Sequence, residues 1–148
     1  MKIGFKRIHP DAQLPVRKHF GDVGMDVFAV EDVQLQEGKP TIVKTGLVAE
    51  IPDGYEIQVR PRSGLATKGV TVWNSPGSID CGYTGEIGVI LCYITPFNDE
   101  TKIRYYDIKK GDRIAQLVLA PVTFCEIAEV SEVRRTERGD GGFGSTGV

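Results

Sequence analysis

Five short stretches of this chain gather residue types able to do chemistry. The richest is NSPGSIDCGYTGE, residues 74 to 86, where Asp80 and Tyr83 stand in a glycine-bounded loop just ahead of an apolar run. A carboxylate in that setting either takes a proton from water as a general base or caps the turn on which it stands. PRSG, residues 61 to 64, closes a strand-like run with a cation, a hydroxyl and a glycine, which suits a common turn as well as a ligand contact. GDRIAQL, residues 111 to 117, carries Gln116 inside another such run, where a buried amide must find a hydrogen-bond partner. GMD, residues 24 to 26, is short enough to be only a turn. The chain finishes RGDGGFGSTGV, in which five of eleven residues are glycine. Glycine loses the most backbone entropy on ordering, so this arm stays loose unless something such as a ligand orders it. Residues 139 to 144 formally match G-x-G-x-x-G, but only four residues follow Gly144, leaving no helix to cradle a dinucleotide. No Lys-Ser or Lys-Thr pair follows the glycines either, so the Walker pattern fails. What the arm offers is one cation (Arg138), one ring (Phe143) and two hydroxyls (Ser145, Thr146).

Short strands are expected to position these groups. YEIQVR (55–60) alternates apolar and polar residues behind Pro52-Asp53-Gly54, a turn in which proline presets φ and glycine accepts a positive φ. MDVFAV (25–30), TIVKTGLVAEI (41–51), EIGVILCYI (86–94), TKIRYY (101–106), RIAQLVLAPV (113–122) and CEIAEV (125–130) are β-branched or aromatic-rich and bounded by turn residues. A short helical turn is expected at SGLATK (63–68), limited by Gly64 and Gly69. No stretch has the period of a long amphipathic helix, so the expected fold is an all-β barrel or jelly roll. The 148 residues suit one domain, and no apolar run reaches the length of a membrane helix. Basic residues at the N-terminus lack a following apolar core and cleavage site, which makes a cytoplasmic setting the expectation. Three cysteines without C-x-x-C spacing argue against a disulfide framework or a zinc site. A formal charge of −2 gives no general attraction to nucleic acid, so any phosphate binding must be local.

Taken in order, GMDVFA (24–29), PRSGLA (61–66), NSPGSIDCGYTGE (74–86), GDRIAQL (111–117) and RGDGGFGSTG (138–147) resemble the five blocks of the homotrimeric dUTPase family. The resemblance implies a distorted jelly roll over residues 1–137 and a flexible arm, 138–148, closing over the active site. It implies a homotrimer whose active sites are each built from three chains. The implied reaction is hydrolysis of dUTP at the α-phosphorus to dUMP and pyrophosphate, which supplies dUMP for dTMP synthesis and keeps uracil out of DNA. Asp80 would be the general base for the attacking water, and Mg²⁺ would be held mainly through the substrate triphosphate, with no protein ligand of its own. Tyr83 would lie under the deoxyribose and exclude a 2′-hydroxyl by steric clash. Asn74, Gly77, Ser78, Ile79 and Gly88 would hold the uracil, largely through backbone groups. Arg62, Ser63, Gly64 and Gln116 would meet the phosphates. From the arm of another subunit, Arg138, Ser145 and Thr146 would close on the γ-phosphate while Phe143 stacks on the base, with Gly144 between them also at the substrate. Asp26 and Glu86 would act from behind the contacting residues.

Two positions depart from the family pattern: Thr84 stands where many members have arginine, and Asp22-Val23 where some have two alanines. Trp73 is expected in the core or at the trimer interface, and His9 and His19 at the surface. A deoxycytidine triphosphate deaminase shares the implied fold but lacks an arm of this form. A zinc nucleobase deaminase would need H-x-E and P-C-x-x-C, which are absent. A non-enzymatic regulatory protein on the same fold is the alternative reading; it need not keep Asp80 and the arm, and this chain has both, so any binding of a regulatory protein partner would be added to catalysis rather than substituted for it. Membrane and nucleic-acid partners are not expected.

Overall fold

A computed structural model describes residues 1–96 and 104–142 of the chain. Eleven strands and one helical turn are defined among them: β1 (Gly4–Arg7), β2 (Met25–Phe28), β3 (Val33–Gln36), β4 (Thr41–Lys44), β5 (Leu47–Glu50), β6 (Tyr55–Arg60), α1 (Ser63–Ala66), β7 (Val70–Val72), β8 (Gly77–Ile79), β9 (Gly88–Tyr93), β10 (Tyr105–Ile108) and β11 (Arg113–Pro121). They form four small antiparallel sheets, ordered β2-β11-β6-β8, β4-β9-β7, β1-β5 and β10-β3. All four wrap one core in a jelly-roll-like manner, with Val27, Leu35, Val43, Leu47, Ile57, Val89, Ile114 and Leu117 sealed from solvent.

The alternation in YEIQVR is realised in β6, where Ile57 and Val59 are buried while Arg60 is exposed. Its leading turn closes by a bond from Tyr55 N to Pro52 O, 3.2 Å. The long run at 41–51 is broken: β4 and β5 belong to different sheets, and the chain turns between them at Gly46. Four strands lie outside the expected segments. Of these β1, β3 and β7 are short, and β8 falls inside the glycine-rich block at 74–86.

The expected strand at CEIAEV is absent, because β11 ends at Pro121 and residues 122 to 142 run on without strand pairing. An extended segment becomes a strand only beside a partner edge, and among the described residues none pairs with it. Phe124, Ile127, Val130 and Val133 stand out from it at 74%, 99%, 64% and 83% exposure. The strand expected at 101–106 is displaced to Tyr105–Ile108, with 101–103 outside the described residues. Trp73 is 55% exposed, so it is not a core residue. His9 and His19 are at the surface. No helix among the described residues is long and apolar enough to cross a membrane.

Candidate active site

β8 adds Gly77, Ser78 and Ile79 to the edge of β6, pairing Gly77 with Val59 and Ile79 with Ile57. From that edge the chain turns through residues 80 to 87 and re-enters a sheet as β9 at Gly88. The turn starts with a bond from Tyr83 N to Asp80 O at 3.0 Å. A cleft of about 180 Å³ opens here, lined by Ser78, Ile79, Asp80, Tyr83, Glu86 and Gly88 together with Ile87. Asp80 is exposed in it, and among the described residues no side chain pairs with its carboxylate. Its oxygens are therefore open to a water molecule. Asn74 lies at the entry to β8 with its amide so close to Gly77 that a side chain there would meet Nδ2 at 2.9 Å.

A second cluster gathers at the far end of β6. Arg62 follows that strand and donates from Nε to Asp26 Oδ1 on β2 at 2.8 Å. Arg113, at the start of β11, approaches the other oxygen of Asp26 at 3.3 Å. Arg62 also donates to the carbonyl of Arg113 at 3.2 Å, so the two guanidiniums are fixed against one carboxylate. Two cations on one anion leave a local excess of positive charge, which suits a phosphate. Gln116 answers its buried-amide question by donating to Pro61 O at 2.8 Å, and its side chain lies so close over Gly24 that a Cβ there would collide with Oε1. Ser63 and Gly64 are exposed in the helical turn that follows Arg62. Lys18, Asp22, Asp26 and Gln116 share an adjoining cleft of about 220 Å³.

The sequence reading passed over Arg113 and Lys18. Arg113 stood inside GDRIAQL, and the signal was there: an arginine three residues before the polar Gln116 of the same strand. Nothing local marks Lys18, which reaches the cleft because Val16 bridges to Asp26.

One chain does not bring the two clusters together. Ile79 lies opposite Ile57, five residues before Arg62, and β8 carries Asp80 still further from it. At about 3.3 Å per residue the separation along β6 is roughly 16 Å. Arg138 stands in a local turn where its Nε donates to Gly141 O at 3.0 Å, and it shares no hydrogen bond or ion pair with either cluster among the described residues. Phe143, Gly144, Ser145 and Thr146 lie outside the described residues. Among the described residues no group of three His, Cys, Asp or Glu side chains is placed to share a metal ion.

A family model described as dUTPase matches residues 10–147. The chain is 49% identical to a deoxyuridine 5′-triphosphate nucleotidohydrolase of Picosynechococcus sp., covering all of both proteins. It is 48% identical to the same-named protein of Nautilia profundicola over 99% of each. Among solved structures, a mutant dUTPase of Staphylococcus bacteriophage 80alpha with dUpNHpp superposes with a TM-score of 0.88 at 31% identity, covering 99% of both chains. A mutant dUTPase of phage phi11 of S. aureus, described with a coordinated structural Mg(II) ion, gives 0.79 at 26% identity over 89% of this chain and 98% of that one.

Proposed function

This chain belongs to the dUTPase family, and from that premise we propose how its residues divide the work of turning dUTP into dUMP and pyrophosphate. The enzyme is a nucleotide hydrolase of distorted jelly-roll fold. The observation that carries the division of labour is the unpaired Asp80 carboxylate in a cleft bounded by Tyr83 and the β8 edge. Asp80 orients a water and accepts its proton as the oxygen attacks the α-phosphorus; pyrophosphate leaves. The edge of β8, with Asn74 and Gly88, meets the uracil largely through backbone groups. Replacing the uracil carbonyl by the cytosine amine would leave mismatched polar groups at about 1–3 kcal/mol each, which excludes that base. Tyr83 forms the floor beneath the sugar.

Arg62, Ser63, Gly64 and Gln116 take the phosphates, with Asp26 holding Arg62 in place. The carboxylates near the two clusters are the hard oxygen donors that Mg²⁺ accepts, but Asp26 is already engaged by two guanidiniums, so the ion fits best when held by the triphosphate and water. Held there by the triphosphate, Mg²⁺ would supply polarisation of the phosphate oxygens. Residues 138–148 act as the arm that closes over substrate, Arg138, Ser145 and Thr146 on the γ-phosphate and Phe143 on the base, with Gly144 between them also at the substrate.

The two clusters are roughly 16 Å apart along one strand, which supports a homotrimer in which one copy supplies the nucleoside cleft, a second the phosphate cluster and a third the arm. The exposed apolar side chains of 122–142 give such copies a surface to bury. Ile42, Ile90 and Trp73 form another outward row, since Ile42 pairs with Ile90 and Trp73 N donates to Ile90 O at 2.8 Å. A cytoplasmic setting agrees with three free thiols. A regulatory protein partner is a second layer of this reading, favoured by likeness to phage dUTPases described as controlling transfer of virulence genes.

Pyrophosphate release with Mg²⁺ from dUTP, dCTP, dTTP and UTP in parallel tests the assignment. Release from dUTP alone is expected. Equal release from UTP would remove Tyr83 from its role, and no release from a folded sample would turn the five blocks into a binding device.

A further inference from the structure

We propose that Glu86 is the positioning residue of Tyr83 and thereby sets the preference for deoxyribose over ribose; this rests on the reading of Tyr83 as the floor beneath the sugar. Glu86 makes two hydrogen bonds in two directions. Its backbone carbonyl accepts from the Tyr83 hydroxyl at 3.0 Å. Its carboxylate accepts from the backbone N–H of Gly46 at 2.9 Å, on the turn between β4 and β5. The carboxylate thus faces the body of the fold, and what it supports is the loop that holds the ring.

The anchor at the other end is closely packed. Gly46 has φ +64°, and a side chain there would strike Cβ of His9 at 2.6 Å and Cβ of Ala12 at 2.8 Å, so the turn is seated tightly on the 9–12 segment. Its carbonyl accepts from Ile8 N at 2.8 Å. Beside it, the fully buried Thr45 hydroxyl donates to Ile87 O at 2.7 Å and Ile87 N donates to Leu47 O at 2.8 Å. The 45–47 turn and the 86–87 segment are therefore closed on each other by three bonds, of which Glu86 contributes the only side-chain carboxylate. The ring is equally constrained from its own side, because a Cβ on Gly85 would collide with the Tyr83 hydroxyl. A steric barrier against one hydroxyl group works only if its surface is fixed, and here the surface is fixed through Glu86.

The test compares kcat/KM for dUTP and UTP in the wild type, Glu86→Ala, Glu86→Gln and Tyr83→Phe. Wild type should prefer dUTP. In Glu86→Ala the dUTP/UTP ratio should fall by about tenfold, the scale of one lost hydrogen bond to a charged group, because UTP is admitted. Glu86→Gln keeps an oxygen acceptor for Gly46 and should retain most of the ratio. Tyr83→Phe cuts the same tether at the ring and should lower the ratio comparably. Equal loss for both substrates in Glu86→Ala would overturn the proposal, as would a Glu86→Gln ratio no better than that of Glu86→Ala. Where Glu86→Ala does not fold, an unchanged ratio in Tyr83→Phe overturns it. A wild type indifferent to the 2′-hydroxyl would instead sink the assignment of Tyr83 on which the inference stands.

Discussion

Two stretches of this protein, one glycine-rich and one apolar, meet opposite fates. Residues 74 to 88 are pinned: β8 pairs with β6 on one side, β9 lies between β4 and β7 on the other, and Glu86 and Ile87 are tied to the 45–47 turn. Residues 122 to 142 begin with a bond from Val122 N to Gly54 O at 2.8 Å and then continue without a strand, their apolar side chains in solvent. Glycine content does not explain the contrast, since the glycine-rich stretch is the pinned one. Apolar strands flanking the first stretch find partner edges within the chain, whereas among the described residues the second has none. The Asp80 cleft is thus formed within one chain, whereas among the described residues no strand pairs with the tail.

The sharpest way to break this contrast is at the carboxylate. Asp80→Asn should lower kcat by about a thousandfold, within the range of a lost general base, and leave dUTP affinity measured by calorimetry nearly intact. Loss of affinity equal to loss of rate would make Asp80 a binding group. Removal of residues 138–148 should come next, about a hundredfold in kcat/KM, the scale of lost substrate closure, with the thermal midpoint unchanged. A drop in the midpoint would show that the arm supports the fold as well as the substrate. Ile127→Asp should weaken assembly by an amount on the order of 2 kcal/mol, the transfer value of one apolar side chain. Light scattering at decreasing protein concentration would reveal it as earlier dissociation; an unaltered mass would place the tail's partner elsewhere.

The smallest effect belongs to the pinned stretch. Hydrogen bonds from Ser78, on β8, and from Gln58 hold the Glu56 carboxyl below its ordinary value. A lowered folded-state pKa stabilises the fold above the ordinary carboxylate range, and that contribution is lost as pH falls through the folded value. Glu56→Gln should therefore be slightly less stable than wild type near neutrality and converge with it in acid. A difference that grows on acidification would contradict the assignment. Glu56 is exposed enough to water that the effect should be a fraction of that of Ile127→Asp.

How much of this was legible depended on how local the cause was. YEIQVR was readable because both its turn chemistry and its alternation lie within a few residues. VQLQ at β3 alternates as well, with Leu35 buried and Val33 packed against the core, but its glutamines disguise those two apolar contacts. GSI at β8 was hidden by its composition, since glycine and serine are poor strand formers. The run at 41–51 hid its break because only Gly46 signals it. Among site residues, Asp80, Tyr83, Arg62 and Gln116 were marked by unusual types in short blocks. Asp26 could be named, though its grip on two arginines could not, because those partners lie 36 and 87 residues away. CEIAEV has strand composition, and what it lacks is an edge, a property of the surroundings that no local pattern contains.

The distance between Asp80 and Arg62 along β6 has a genetic consequence. If no copy can place its own base beside its own phosphate cluster, the two defects need not reside in the same site. Mixed after joint refolding, Asp80→Asn chains and Arg62→Ala chains, each inert alone, would complement: some sites would draw the intact carboxylate from one parent and the intact guanidinium from the other. Heterozygous recovery of this kind is a signature that a self-contained active site could not produce.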